Sequence, residues 1–230
     1  MKHTDLYLIL LLTVFSCISC QKEEIDYYDQ TSRINFIYGN SIPYNFCDSD
    51  YIKGNEYHAI GVYVQIQGNL LTETKDFVLK ACPAPGDTMA AEVILPEKYT
   101  FTKIDTTSQQ VYVKVKRPAK PGKIKDTYRN YLKFDLDNPA HQWDPGRADK
   151  DSCMIEVTYD LLPARQSQWN KLRWGEYSDA KYMFMLDHFK VTYNEMPQDG
   201  GDIKAAYEKH KQDFGPILDE TGKEIMFPEP

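Results

Sequence analysis

Cys20 is where the sequence points most directly to a covalent reaction. Lys2, an apolar run from Leu6 to Phe15 and the small residues after it form an export leader, too short to span a bilayer and stay there. The small residues run into cysteine in two registers, Val14-Phe15-Ser16-Cys17 and Cys17-Ile18-Ser19-Cys20. Cys20 is the better first mature residue, because Gln21-Lys22-Glu23-Glu24 follows at once as a polar, acidic tether. Its thiol would take a diacylglyceryl group and its freed amine a further acyl chain. Each buried methylene contributes about 0.8 kcal/mol, and more than one chain makes anchoring to a membrane stable. These lipid groups are the only bound groups expected. Of the remaining cysteines, Cys17 leaves with the leader, and Cys47, Cys82 and Cys153 stand far apart. One disulfide with a thiol left over fits that odd number, and no pair is singled out. The spacing offers no zinc or redox motif.

Other chemistry is harder to find. With 34 acidic residues, carboxylate pairs arise by chance, and none sits in a recognisable acid–base context. Gly-x-Ser-x-Gly and His-Glu-x-x-His are both absent. His58, His141, His188 and His210 are scattered, so no catalytic residue is assigned and no enzyme activity is expected. Asp48-x-Asp50, Asp135-x-Asp137-Asn138 and the run from Asp144 to Asp151 put oxygen ligands on turns, where a calcium ion is held in other proteins. Asp and Asn also populate turns for backbone reasons alone, and no metal site is assigned.

Aromatic residues are the more physical option. The chain has 17 Tyr, 10 Phe and 3 Trp, and the C–H faces of sugars stack on exposed rings. Trp143 lies in the polar loop 138–146 beside His141, Gln142, Asp144 and Arg147, where burial is not expected. Tyr63 and Tyr112 fall on the wet faces of two strands. These three are the candidate ligand-binding residues. Trp169 and Trp174 are expected to glue helices to the rest of the fold. A net charge of −7 leaves no basic surplus for a phosphate backbone, so nucleic acid is not an expected partner.

The elements that must hold these residues are mainly β. In His58–Gln67, Ile60, Val62, Val64 and Ile66 alternate with Gly61, Tyr63, Gln65 and Gln67. Val111, Val113 and Val115, and likewise Leu132, Phe134 and Leu136, alternate with polar or aromatic residues. Weaker strands are expected at 34–38, 76–81, 91–95 and 154–159. Period two with one wet face predicts antiparallel sheets, and about seven strands predict an immunoglobulin-like β-sandwich. After residue 160 the period changes. Tyr182, Met185, Leu186 and Phe189 form one helical stripe behind the N-cap Ser178, with Tyr177 and Tyr182 as a hydrophobic staple. A second helix is expected from its cap Asp202 to Phe214, stopped by Gly215-Pro216. The chain thus divides into a leader (1–19), a lipidated cysteine and tether (20–31), a β-sandwich (32–160) and a small helical extension packed on it (161–230).

A resemblance rests on the order of these features. Cys20 followed by Gln-Lys-Glu-Glu resembles the surface-export signal of Bacteroidota outer-membrane lipoproteins. Pro163, Trp169 and the stretch Trp174-Gly175-Glu176-Tyr177-Ser178-Asp179-Ala180-Lys181-Tyr182, with Gly222-Lys223-Glu224-Ile225-Met226-Phe227-Pro228 at the close, is similar to a Bacteroidota lipoprotein family, domain of unknown function 4843. The resemblance implies an outer-membrane, surface-exposed, non-enzymatic accessory lipoprotein of a Sus-like uptake system for glycans or peptides. Its expected partners are a TonB-dependent transporter and that transporter's substrate-capturing lipoprotein. A free-standing surface glycan-binding module is the other reading. The family has no catalytic residues to carry over.

Overall fold

The computed structural model describes residues 31–37, 41–122, 126–161 and 169–229. The leader, Cys20 and most of the tether lie outside them, as do Tyr38 and Pro163. Residues 32–230 form one compact unit.

Alternation builds the two main sheets. The first has the order β10 (Asp144–Pro145), β1 (Arg33–Phe36), β3 (Tyr57–Gln67), β8 (Ser108–Lys116), β6 (Val93–Ile94). The second runs β2 (Ile42–Phe46), β11 (Ser152–Tyr159), β9 (Tyr128–Phe134), β5 (Leu79–Pro83). β4 (Lys75–Phe77) and β7 (Tyr99–Phe101) form a separate antiparallel pair. The inward side chains of β3 and β8 are buried aliphatics, each contributing about 1.5–3 kcal/mol. Opposite them the second sheet buries Leu132, Cys153, Ile155 and Val157. Phe36 of the first sheet stacks on Phe134 of the second, ring centroids 4.5 Å apart. The molecule is a mainly β sandwich, as the alternation predicts.

Three features depart from expectation. Two edge strands pair in parallel, β10 with β1 and β2 with β11, where antiparallel pairing alone was expected. β2 had no alternating signal because Pro43 interrupts it, and proline is tolerated there because it lies on an edge strand with no second partner for its missing N–H. The single strand expected over 76–81 is two strands. At Val78 the backbone leaves the ladder, its N–H donating to His141 Nδ1 (3.2 Å) and its carbonyl accepting from Asp135 N (2.9 Å), so β4 and β5 pair with different partners.

The helices complete the same core. α1 (Asp48–Ile52) follows β2, α2 (Lys171–Trp174) precedes Gly175, and α3 (Asp179–Phe189) starts at Ser178, whose side chain accepts from Lys181 N at 3.1 Å. Tyr182, Met185 and Leu186 are fully buried, as the helical stripe requires. α4 (Gly200–Phe214) is capped by Asp199 rather than Asp202, three residues earlier than expected. The glycine at its start is a packing residue: a Cβ on Gly200 would stand 2.5 Å from the Arg173 carbonyl oxygen of α2. Tyr182 Oη donates to Asp48 Oδ2 (2.9 Å) and Tyr51 Oη to Asp187 Oδ2 (2.9 Å), tying α3 to α1 beside the sandwich. Trp169 and Trp174 are buried against Tyr177, Tyr182 and Tyr193, and Trp169 Nε1 donates to the Gly175 carbonyl at 2.8 Å. The three cysteines of the fold are all thiols. Cys82 and Cys153 sit on strands either side of β9, about 10 Å apart, beyond the reach of a disulfide.

Candidate functional site

The alternation that fills the core also composes the outer face of the first sheet. There β3 turns outward Tyr57, Ala59, Gly61, Tyr63, Gln65 and Gln67, and β8 turns outward Gln110, Tyr112, Lys114 and Lys116. Tyr63 is 42% exposed and Tyr112 59%. The register sets Gly61 opposite Tyr112 and Gln110 opposite Tyr63. The two tyrosines are therefore diagonal neighbours, about 7–8 Å apart at their origins on the sheet. Gly61 makes the space between them usable: a Cβ there would lie 2.0 Å from Gln110 Nε2, so the amide of Gln110 crosses β3 only because the glycine has no side chain. Tyr112 Oη donates to Gln110 Oε1 at 3.3 Å. From the edge, Tyr99 Oη donates to the Tyr112 carbonyl at 3.1 Å, and burial pushes the Tyr99 phenol up to about 12. The result is an open shelf with two rings, an amide between them, and a third tyrosine, Tyr57, further along β3.

Trp143 is not on this shelf. Expected in solvent, it is 5% exposed, edge-on to Phe101 at 5.8 Å, with Lys75 Nζ 5.4 Å from its ring centroid. Its polar neighbours are what bury it. Gln142 N donates to the Asp76 carbonyl (3.1 Å) and Gln142 Oε1 accepts from Asp76 N (2.7 Å), while His141 accepts from Val78. These bonds fold the loop onto β4 and carry the indole into the core. Of the three ring candidates the structure brings together Tyr63 and Tyr112, and sequence reasoning missed Gly61 and Gln110. The cue was a glycine among the outward residues of an otherwise regular strand.

Asp48, Asp50, Asp135 and Asp149 of the acidic turns are engaged by the protein itself, Asp149 by Arg147 at 2.7 Å. Asp48 accepts from Tyr182 Oη and from Tyr193 N, and Asp50 from Tyr44 Oη, Cys47 N and Asn55 Nδ2. Asp135 is held by Lys80 at 2.8 Å. Among the described residues no group of three His, Cys, Asp or Glu is arranged to hold a metal ion, and no helix there is long and apolar enough to cross a membrane. His58 stacks on Tyr44 with centroids 3.6 Å apart. His188 and His210, far apart in sequence, both pack on Phe184 beside a cavity of about 410 Å³.

Lys181 is the one strongly buried cation described, at 3% exposure. Its Nζ donates to the carbonyls of Trp174 (2.9 Å) and Glu176 (2.6 Å) and lies 5.2 Å from the Phe227 ring centroid, closing the link between α2 and α3. Burial pulls its ammonium down to about 8. In the unfolded chain the same group titrates near 10.4. Between those values the unfolded chain binds more protons, so the penalty of burying the charge is present below about pH 8 and is relieved as pH rises above it. The melting temperature of the native protein relative to Lys181→Met is therefore expected to climb between pH 8 and pH 10 in thermal scans. A flat difference would show that the amine is not desolvated.

Comparison with solved structures finds partial overlaps at low identity. The apo-form Calx CBD1 domain overlaps with a TM-score of 0.36 and 11% identity over 56% of this chain and 98% of its own. EndoBT-3987 from Bacteroides thetaiotaomicron, solved with a Man5GlcNAc product, gives 0.37 and 12% over 55% of this chain and 30% of its own. A Bacteroides ovatus protein named as a candidate carbohydrate-binding protein gives 0.36 and 9%, over 56% and 38%. At these scores the overlaps carry no functional argument. A search of curated proteins finds no match. The family comparison is more informative. A match spans residues 23–191, ending past α3, so that α4 and the closing segment 222–228 lie beyond it. The chain therefore belongs to the family described as Domain of unknown function (DUF4843).

Proposed function

We propose that this protein is a non-enzymatic, surface-exposed lipoprotein that holds saccharide on the outer face of its five-stranded sheet. Acyl and diacylglyceryl groups on Cys20 anchor it in the outer membrane. In that position it acts as an accessory to a Sus-like uptake complex, beside a TonB-dependent transporter and its substrate-capturing lipoprotein. The observation that carries the saccharide reading is the shelf itself: Tyr63 and Tyr112 exposed on one face, at diagonal register, with the Gln110 amide between them. Two rings at that separation give stacking surfaces for the C–H faces of a sugar chain, and the amide offers both a donor and an acceptor to its hydroxyls. Such a shelf is open and shallow, so it suits polymers better than a free monosaccharide, which gains most from an enclosing pocket.

Affinity electrophoresis of residues 21–230 through gels containing a panel of polysaccharides tests this. Retardation by at least one glycan is expected, and Tyr63→Ala and Tyr112→Ala are each expected to weaken it about fivefold or more while leaving the melting temperature within a few degrees of the parent. Normal migration in every gel would reject the saccharide reading.

A further inference from the structure

We infer that the saccharide held on the Tyr63–Tyr112 shelf is anionic, an inference that rests on reading the shelf as a glycan site. The charge of this face runs against that of the chain. The whole protein carries −7, yet neither β3 nor β8 contains an Asp or Glu, and β8 turns two lysines outward. Lys116 is neutralised by Glu92 at 3.0 Å. Lys114 is exposed and, among the described residues, has no carboxylate partner.

Its position is as telling as its charge. Lys114 stands two residues along β8 from Tyr112 on the same face, about 7 Å away. Ala59 lies directly opposite on β3 and Ile94 on β6. Neither neighbour offers the ammonium an acceptor, and the small Ala59 leaves room beside it. A sugar ring stacked on Tyr112 would thus bring a charged substituent, on itself or on the next unit, to an unpaired cation. A lysine ammonium is a point charge without the planar fork of arginine, so it accepts a uronate carboxylate or a sulfate ester alike. The shared chemistry is an anionic group on a polysaccharide. The net negative charge elsewhere on the protein argues against simple ion exchange as the source of any attraction.

Two matched pairs of polymers separate the outcomes for residues 21–230: dextran sulfate against dextran, and polygalacturonate against its methyl ester. At least one anionic member is expected to retard the protein more than its neutral counterpart, and added salt is expected to reduce that difference. Lys114→Gln is expected to weaken retention on the anionic polymer about two- to fivefold, the scale of one exposed ion pair, and to leave neutral retention unchanged. Lys209→Gln, a control on exposed α4, is expected to change neither. Whichever pair responds identifies sulfate or carboxylate as the anion. Equal retention on charged and neutral polymers, untouched by Lys114→Gln, overturns this inference but leaves the glycan reading standing. No retention on any polymer removes both. Binding to phosphatidylglycerol vesicles without binding to any polysaccharide assigns the face to a lipid surface and overturns the inference as well.

Discussion

Trp143→Ala is expected to lower the unfolding free energy by about 3–5 kcal/mol, the range for deleting a buried aromatic side chain. At this chain length each kcal/mol shifts the melting temperature by roughly 2–4 °C, so a fall on the order of 10 °C is expected in calorimetry or thermal circular dichroism. The indole packs on Phe101 and lies under Lys75, so its removal leaves a cavity beneath β4 and β7 rather than a bare patch of surface. Among the described residues buried Trp143 Nε1 has no hydrogen-bond partner, so substitution chiefly forfeits packing. The discriminating comparison is with Tyr112→Ala. That variant is expected to lose glycan retention with little change in melting, whereas Trp143→Ala is expected to lose stability first. A Trp143→Ala protein with native stability would place the loop in solvent and contradict its docking on β4.

Asp48→Ala is expected to cost about 3 kcal/mol, chiefly by detaching the helices from the sandwich. Asp48 is nine-tenths buried and accepts from Ser49 N (2.7 Å), Tyr182 Oη (2.9 Å) and Tyr193 N (3.2 Å), the last two from far along the chain. Hydrogen bonds to a charged acceptor contribute about 1.5–3 kcal/mol. Tyr182→Phe removes only one of these bonds and is expected to cost less, about 1.5 kcal/mol, the low end for a hydrogen bond to a charged acceptor. Limited proteolysis distinguishes the mechanism from general weakening. In Asp48→Ala, cleavage is expected to begin within residues 169–229 before the sandwich is cut. Simultaneous loss of both regions would mean that Asp48 stabilises the whole unit evenly.

The sandwich was legible because period two is a local property. Alternation in His58–Gln67 and in Val111–Val115 needs only that one face be dry, and the same pattern exposes Tyr63 and Tyr112 whatever the strand order. Ser178 and the stripe from Tyr182 to Phe189 were equally local, since capping and helical spacing involve residues within a few positions of each other. The parallel edges were not legible. Ile42–Phe46 carries a proline and no clear alternation, and it becomes a strand only because β11 offers it a ladder.

Residue periodicity thus specified the class of each long element and which of its faces is wet, because side-chain direction follows from backbone geometry. Which aromatic rings share a surface depended on contacts between distant parts of the chain. Register sets Tyr63 diagonal to Tyr112 with Gly61 between them, and the hydrogen bonds that Gln142 exchanges with Asp76 and that Val78 N donates to His141 take Trp143 out of water. Burial of a loop residue depends on where its neighbours' polar groups find partners, and those partners lie some sixty residues away.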